Sequence, residues 1–151
     1  MQYSYKPGAQ LKTPAEVAGQ VCQELEESGG LTAKRLLDAS RPVDAPLHDE
    51  FEWDNSEAAE KYREYQAAHI IRRIIVRPEQ VEKEPVRAFV NVTDNVRSYR
   101  SLDVVLQTTN LREQLLGQAL KDLRAFEQKY STLSELAEVF NAIHQFQDTA
   151  T

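Results

Sequence analysis

The sequence predicts an α-dominated α+β fold: three N-terminal helices with a β-hairpin in a winged-helix-like arrangement, then a pair of C-terminal helices. Apolar residues recur at helical spacing in three stretches before residue 73 and in two after residue 110. Between them the spacing changes to the alternation typical of strands. The chain has 151 residues, 41% of them hydrophobic, which is enough for one buried core. We therefore expect a loose arm over residues 1–12, a helical unit with the hairpin over 13–93, a connector over 94–109, and a helical hairpin packed on or beside that unit over 110–147.

The first helix has a start signal, a stop signal and an apolar face. Thr13 and Glu16 have the spacing of a capping box, and Pro14 suits the first helical position. The run Ser28-Gly29-Gly30 ends the helix because glycine takes the left-handed cap conformation. Cys22, the only cysteine, falls on the apolar face, so we expect a buried thiol and a reducing compartment.

The second helix is short and leads into an irregular connector. It runs from a cap at Thr32 to about Ser40 and stops there because the residue before Pro42 avoids helical angles. The connector over residues 41–53 contains Trp53, the only tryptophan. It is longer than a simple spacer between two helices needs to be.

The third helix is predicted from Asp54 or Asn55 to about Arg72. Residues that share one side at 100° per residue predict the buried stripe Ala59, Ala67, Ile70 and Ile74. Another side carries Tyr65, His69 and Arg72, with Tyr62 at its edge. The helix therefore separates a face for the core from a polar and aromatic face.

Two strands follow the third helix. Ile74-Ile75-Val76 and residues 86–93 have strand-like composition, and residues 78–85 form an acidic loop between them. These segments predict a β-hairpin with a long tip. The connector over residues 94–109 is mixed in character, with one helical turn around Leu102–Leu106.

The C-terminal third has the strongest helical pattern. Its first helix carries apolar residues at helical spacing: Leu111, Leu115, Ala119, Leu123, Phe126 and Tyr130. Ser131-Thr132 interrupts this pattern, and a second amphipathic helix follows, with Leu133, Leu136, Ala137, Phe140 and Ile143. Two helices with a short joint predict an αα-hairpin or an arm that contacts another protein.

Charge and motifs argue against several classes of function. The net charge of −6 does not fit a general nucleic-acid coat, but residues 61–112 hold ten basic and six acidic residues and so permit local contact with an anion. The sequence has no metal-binding or nucleophile motif, and His48 beside Asp49 and Glu50 is typical of a surface loop. It also has no apolar run long enough to cross a membrane and no signal-peptide core. We therefore expect a non-enzymatic protein with no cofactor, metal, small-molecule substrate or membrane partner.

DNA binding is the first functional hypothesis. The order of three helices and a hairpin matches a winged helix-turn-helix. The predicted contact residues are Arg63, Tyr65, His69, Arg72, Arg73 and Arg77, and Arg87 is a further available cation. Two features argue against a standard motif. The connector before the third helix exceeds the usual 3–4 residues, and the third helix begins with acidic residues. The alternative is that these arginines pair with nearby carboxylates.

Protein–protein assembly is the second hypothesis. Phe51 and Trp53 could anchor a partner, since aromatic residues dominate binding hot spots. The alternative is that Trp53 folds back and holds the connector on the core. The C-terminal helices could bind a second copy of the chain or another protein, or pack within their own domain.

Several short motifs are similar to those of a group of uncharacterised tailed-bacteriophage and prophage proteins. The motifs are Leu31-Thr32, Pro46-Leu47-His48, Phe51-Glu52-Trp53-Asp54, Ala58-Ala59, Tyr62-Arg63 and Gln66-Ala67, with the later RAFVNV strand and the LREQLL…LRAFEQKYSTLSELAEVF helices. The resemblance covers most of residues 13–146. It implies a phage origin and a bacterial host cytoplasm. It does not choose between DNA binding and assembly, and it assigns no catalytic or binding residue.

Overall fold

The computed structural model describes residues 2–53, 57–77 and 84–149, and in these ranges six α-helices accompany two small antiparallel sheets. The helices are α1 Ala15–Glu27, α2 Ala33–Ala39, α3 Glu57–Arg73, α4 Leu102–Gln107, α5 Thr109–Tyr130 and α6 Ala137–Thr149. The strands are β1 Tyr3–Tyr5, β2 Ile74–Val76, β3 Val86–Arg87, β4 Phe89–Asp94 and β5 Val96–Ser101. Short 3-10 turns lie at His48–Glu50 and Ser134–Leu136. The predicted α-dominated α+β class is confirmed.

The first sheet has the strand order β1-β2-β3. β1 pairs antiparallel with β2, with Tyr3 opposite Val76, and β2 pairs antiparallel with β3. The loose arm predicted over residues 1–12 is therefore wrong for Tyr3–Tyr5. This strand has only three residues, and its partner lies about seventy residues along the chain, so no local pattern identifies it.

The second sheet was not predicted. The strand predicted over residues 86–93 is divided at Ala88, and its second part, β4, pairs with β5. The turn between them contains Asn95 at φ 64°, a backbone conformation that asparagine tolerates better than most residues. The predicted connector over residues 94–109 thus contains a strand. The helical turn predicted around Leu102–Leu106 is confirmed as α4.

Ala88 connects the two sheets. Its N–H donates to the carbonyl of Ile74 at 3.0 Å, in the first sheet. Its carbonyl accepts from the N–H of Leu102 at 2.9 Å, where β5 leads into α4. The buried residue Ala88 therefore takes part in the hydrogen bonds of the first sheet and also in those where the second sheet meets α4.

The main core lies where α1, α2 and α3 meet the first sheet. Its buried members are Ala18, Cys22, Leu31, Leu36, Leu37, Leu47, Phe51, Ala67, Ile70, Ile71, Ile74, Val76, Ala88, Phe89 and Tyr99. Burial of Ala67, Ile70 and Ile74 confirms most of the stripe predicted on α3. Cys22 is also buried as predicted, and this burial raises the pKa of its thiol to about 12, so the thiol stays neutral.

A carboxylate from the connector holds the start of α1. Glu50 Oε1 accepts from the backbone N–H groups of Lys12 and Thr13, both at 2.7 Å, and from the Thr13 hydroxyl at 3.0 Å. The Glu16 carboxylate instead accepts from the N–H of Tyr3 at 3.0 Å. The predicted capping box between Thr13 and Glu16 is therefore wrong, because both side chains have partners elsewhere.

The predicted C-terminal helical pair is confirmed as α5 and α6. Phe126 meets Phe140 edge to face with ring centroids 6.2 Å apart, and His144 Nε2 lies 2.6 Å from Glu127 Oε1. A smaller core, with Val90, Val92, Val105 and Leu111 buried, joins α5 to the second sheet. Among the described helices, none is long and apolar enough to cross a membrane.

Gly19 provides a test of how β1 docks on α1. A Cβ at this position would overlap the ring of Tyr3, which stacks on Phe89 with centroids 6.0 Å apart. We expect Gly19→Ala to lower the free energy of unfolding by about 1–3 kcal/mol, because the ring must move. Gly117→Ala is the matched control. A Cβ there meets nothing within 4 Å, so alanine should stabilise α5 by up to about 1 kcal/mol. Urea denaturation measures both, and equal stability of Gly19→Ala and the wild type would contradict this docking.

Candidate nucleic-acid interface

Three of the predicted contact residues form a row on the exposed side of α3. The rings of Tyr65 and His69 stack with centroids 6.1 Å apart and an interplanar angle of 21°. The guanidinium of Arg72 lies 6.0 Å from the centroid of the Tyr65 ring. Tyr65 keeps 60% of its surface exposed. This is the row that helical spacing predicted, and it combines an accessible aromatic ring with a cation.

Arg73 extends the row toward the N-terminal segment. It lines a shallow cavity of about 190 Å³ together with His69, Gly8, Gln10 and Leu11. Partial burial, then the positive charges of Arg73 and Arg72, lower the pKa of His69. The imidazole is therefore neutral near neutral pH, and its surroundings favour an anion.

The outer face of the first sheet carries a larger open cavity of about 690 Å³. Lys6, Arg77 and Arg87 line it, and the register places Arg87 opposite Ile75 on β2. The N–H of Lys6 donates to the carbonyl of Arg73 at 3.0 Å, which joins this cavity to the α3 row. We call the joined surface formed by Lys6, Arg72, Arg73, Arg77 and Arg87 the cationic face.

The charge of the cationic face is largely unneutralised by the described residues. None of its five cations forms an ion pair with a carboxylate in the described ranges. The described lining of the larger cavity includes one acid, Glu84. Lys6 and Arg87 were not among the predicted contact residues, because Lys6 lay in a supposed loose arm and the register of β3 was unknown. The three residues of alternation in Tyr3–Tyr5 are too few to reveal β1 from the sequence.

Arg63 does not belong to this surface, and its predicted contact with nucleic acid is wrong. Its side chain is 5% exposed, and its guanidinium lies 5.2 Å from the Trp53 ring centroid. One terminal nitrogen donates to Glu60 Oε2 at 2.9 Å, and Nε donates to the carbonyl of Glu52. The alternative that arginines pair with local carboxylates therefore holds for Arg63.

The predicted protein interface at Phe51 and Trp53 is also corrected. Phe51 is buried in the main core. Trp53 Nε1 donates to the carbonyl of His48 at 2.8 Å, and the two rings stack with centroids 4.7 Å apart. The structure therefore favours the alternative in which Trp53 holds the connector on the core. We call the group of His48, Trp53, Glu60 and Arg63 the Trp53 clamp.

Arg41 closes the Trp53 clamp from the outside. Its guanidinium lies 6.0 Å from the Trp53 ring centroid, and it pairs with Asp38 at 2.9 Å and with Glu60. Hydrogen bonds from Arg41, and then from Arg63, lower the pKa of Glu60. The carboxylate is thus ionised between two guanidinium groups, which leaves neither arginine available for a phosphate.

Neither metal ligation nor comparison with known proteins suggests another site. Within the described ranges, no group of three His, Cys, Asp or Glu side chains could hold a metal ion. Comparison with protein-family models, with curated proteins and with solved structures finds no match to this chain. Any assignment of function therefore depends on the geometry and charge of the chain's own residues.

Substitution of Arg63 tests the Trp53 clamp. Arg63→Met should lower the free energy of unfolding by about 2–4 kcal/mol, because it leaves the Glu52 carbonyl and the Glu60 carboxylate without this buried donor. Arg72→Met, on the exposed row, should change it by less than about 0.5 kcal/mol. Denaturant unfolding followed by the fluorescence of Trp53, the only tryptophan, measures both variants. Equal stability of the two would show that the clamp contributes little.

The electrostatics of the α3 row can be tested by titrating His69. Its folded pKa lies below its ordinary value of 6.5. This group's contribution to stability is therefore present above that value and is lost as pH falls toward the folded pKa. Arg73→Ala should raise the pKa of His69 and reduce the loss of stability on acidification. Imidazole chemical shifts followed by NMR measure the pKa, with Lys129→Ala on α5 as the control. An unchanged pKa in Arg73→Ala would contradict this electrostatic coupling.

Proposed function

We propose that the chain is a non-enzymatic phage or prophage accessory protein that binds DNA through the cationic face in the host cytoplasm. The observation that carries the proposal is the group of five cations without ion pairs to described carboxylates, arranged around open cavities and beside a stacked aromatic row. The phage origin rests on the motif resemblance alone. The overall charge of −6 means that attraction to DNA is confined to this side of the molecule.

The cationic face supplies the usual electrostatic contribution to DNA binding. Each phosphate that a lysine or arginine neutralises releases bound counterions, so affinity falls with salt at a slope of about −0.9 for each contact. Five contacts would give a slope between about −4 and −5. Tyr65 adds an exposed ring next to Arg72, which can contact a sugar or a base edge.

The winged-helix-like hypothesis is retained only in a modified form. β2 follows α3 directly, so the helix and the β2–β3 pair present one continuous surface. The described part of the connector between α2 and α3, residues 40–53, already has fourteen residues, whereas a helix-turn-helix joint has about 3–4. The start of α3 predicted at Asp54 or Asn55 lies outside the described residues. At the start of α3, Glu60 is held by Arg41 and Arg63. We therefore propose contact through the C-terminal half of α3 and the sheet, without insertion of the helix start into the major groove.

The alternative function is that of a structural or adaptor protein that acts through protein contacts. Phe51 and Trp53 no longer support it, because both serve the core. One observation does favour it, namely the apolar side chains that α5 and α6 expose.

A salt titration tests DNA binding. Binding of a labelled duplex, followed by fluorescence anisotropy across a series of salt concentrations, should weaken steeply as salt rises. Arg77→Ala and Arg87→Ala should each weaken binding and reduce the salt slope by about one, because each removes a phosphate contact. Lys129→Ala removes a cation that lies near Tyr130 on α5 and should leave the slope unchanged.

Two results would overturn the proposal. The first is no detectable binding at low salt, and the second is binding that does not respond to salt. Equal effects of Arg77→Ala and Lys129→Ala would place the interaction elsewhere on the chain. Because Arg77 and Arg87 are exposed, their substitution should not affect folding, which circular dichroism can verify.

A further inference from the structure

A groove lies between α3 and the N-terminal segment, on the side of the helix that continues into the cationic face. Two adjoining cavities of about 190 and 220 Å³ form it, and they share Gln10, Leu11 and His69. Together they lie within the range of about 300–1,000 Å³ that is typical of small-ligand sites. We call these two cavities the α3 groove.

The two ends of the α3 groove differ in chemistry. At one end Arg73 lines the groove, and its carbonyl accepts from the N–H of Lys6, another member of the cationic face, at 3.0 Å. At the other end the lining includes the carboxylate of Glu50 and the amide of Gln66. One end therefore suits a phosphate, and the other end suits a polar group that both donates and accepts hydrogen bonds.

Two tyrosine rings line the part of the groove away from Arg73. Tyr62 and Tyr65 keep 53% and 60% of their surfaces exposed. They lie three residues apart and so occupy neighbouring positions on one side of α3, and the Tyr65 ring also stacks on His69. Exposed rings beside cations are the surfaces on which single-stranded nucleic acids stack their bases.

The Glu50 and Gln66 side chains each keep hydrogen-bonding capacity for a ligand. The three bonds that Glu50 accepts from described residues all use Oε1, so Oε2 has no partner among those residues. The side-chain carbonyl of Gln66 accepts from the N–H of Glu52 at 3.4 Å, and its amide nitrogen donates to no described residue. A carboxylate oxygen that can only accept and an amide nitrogen that can only donate therefore line the same cavity.

We propose that the α3 groove binds an unpaired nucleotide of the DNA, with its base on the Tyr62 and Tyr65 rings and its phosphate at Arg73. The Glu50 carboxylate repels a phosphate at the far end, whereas the edge of an unpaired base offers N–H groups to this carboxylate and acceptors to Gln66. In a duplex the same edges are paired and the faces of the bases are stacked, so paired bases cannot occupy the groove.

This inference rests on the proposed function, because the cationic face must hold the phosphates on either side of the bound nucleotide. It adds the form of the DNA, which is a duplex that continues into a single-stranded segment. The groove and the cationic face share Arg73, so one strand can follow both without a break.

Fluorescence anisotropy with three labelled probes tests the groove. All three contain one duplex sequence. The first is blunt, the second carries a single-stranded tail of about five deoxyadenosines, and the third carries a tail of equal length without bases. The base-free tail has the same phosphates, so the difference between the two tails measures the bases alone. The adenosine tail should bind at least about fivefold more tightly than the base-free tail, which is the effect of about one stacked base.

The two tyrosines supply the variant and its matched control. The double variant Tyr62→Ala, Tyr65→Ala should reduce the advantage of the adenosine tail to less than about twofold, because both rings are lost. The double variant Tyr62→Phe, Tyr65→Phe keeps both rings and should keep the advantage. Circular dichroism verifies that both variants fold, as expected for exposed side chains. An unchanged advantage in the alanine variant would place the bases elsewhere and overturn the proposal.

The blunt duplex separates this inference from the proposed function. Binding of the blunt duplex with a steep salt slope, together with equal affinity for the two tails at either end of the duplex, would refute the groove alone. Absence of binding by all three probes would refute the proposed function as well.

A competitor distinguishes a segment of DNA from a free nucleotide. Attachment to a bound duplex gives the tail an effective concentration on the order of 1 mM. Deoxyadenosine monophosphate at about 0.1 mM should therefore leave the advantage of the adenosine tail unchanged. Loss of the advantage at this concentration would assign the groove to a free nucleotide and overturn the proposal.

Discussion

The buried guanidinium of Arg63 is the constraint around which the N-terminal unit is organised. A charge removed from water is tolerated only when hydrogen bonds and an opposite charge replace its hydration. Here the Glu60 carboxylate, the Glu52 carbonyl and the Trp53 ring replace most of that hydration, and the second terminal nitrogen is buried without a hydrogen-bond partner among the described residues. Because two of these partners come from the connector, the connector must fold back on α3. Its return brings Glu50 to the start of α1, so a charge on the third helix also fixes the beginning of the first.

The elements that the sequence predicted well are those whose signals are local. Thr32 caps α2 as predicted, with its hydroxyl accepting from the N–H of Arg35 at 3.0 Å. The helical spacing of α5 and α6 is equally local. β1 depends on a partner about seventy residues away. The partner of β5 is the adjacent β4, but the alternation of residues 86–93 continues through Ala88 without showing that the pairing partner changes there. Tertiary pairing, which single-sequence patterns do not contain, determines these parts.

In the candidate site, too, the residues with a local sequence signal are predicted well, and the residues placed by tertiary contacts are not. Helical spacing groups Tyr65, His69 and Arg72 correctly, because positions four and seven residues apart share one side of a helix. The sequence predicts a surface position for Arg63 because an arginine is usually exposed, whereas its burial depends on contacts with Glu52 and Trp53. Lys6 and Arg87 join the cationic face because β1 and β3 both pair with β2, and the sequence alone does not show this pairing. The sequence therefore shows which residues are cations, but only the fold shows whether each cation is buried or faces solvent.

The position of Ala88 has a consequence for cooperativity. The N–H of Ala88 bonds to the first sheet, and its carbonyl accepts a hydrogen bond from the start of α4. The first sheet and α4 therefore cannot separate without leaving a buried backbone polar group of Ala88 without its partner. The first sheet and the start of α4 should therefore unfold together, and the backbone amides of Ala88 and Leu102 should exchange their hydrogens at a common slow rate. The cationic face and the helical pair are then rigidly related.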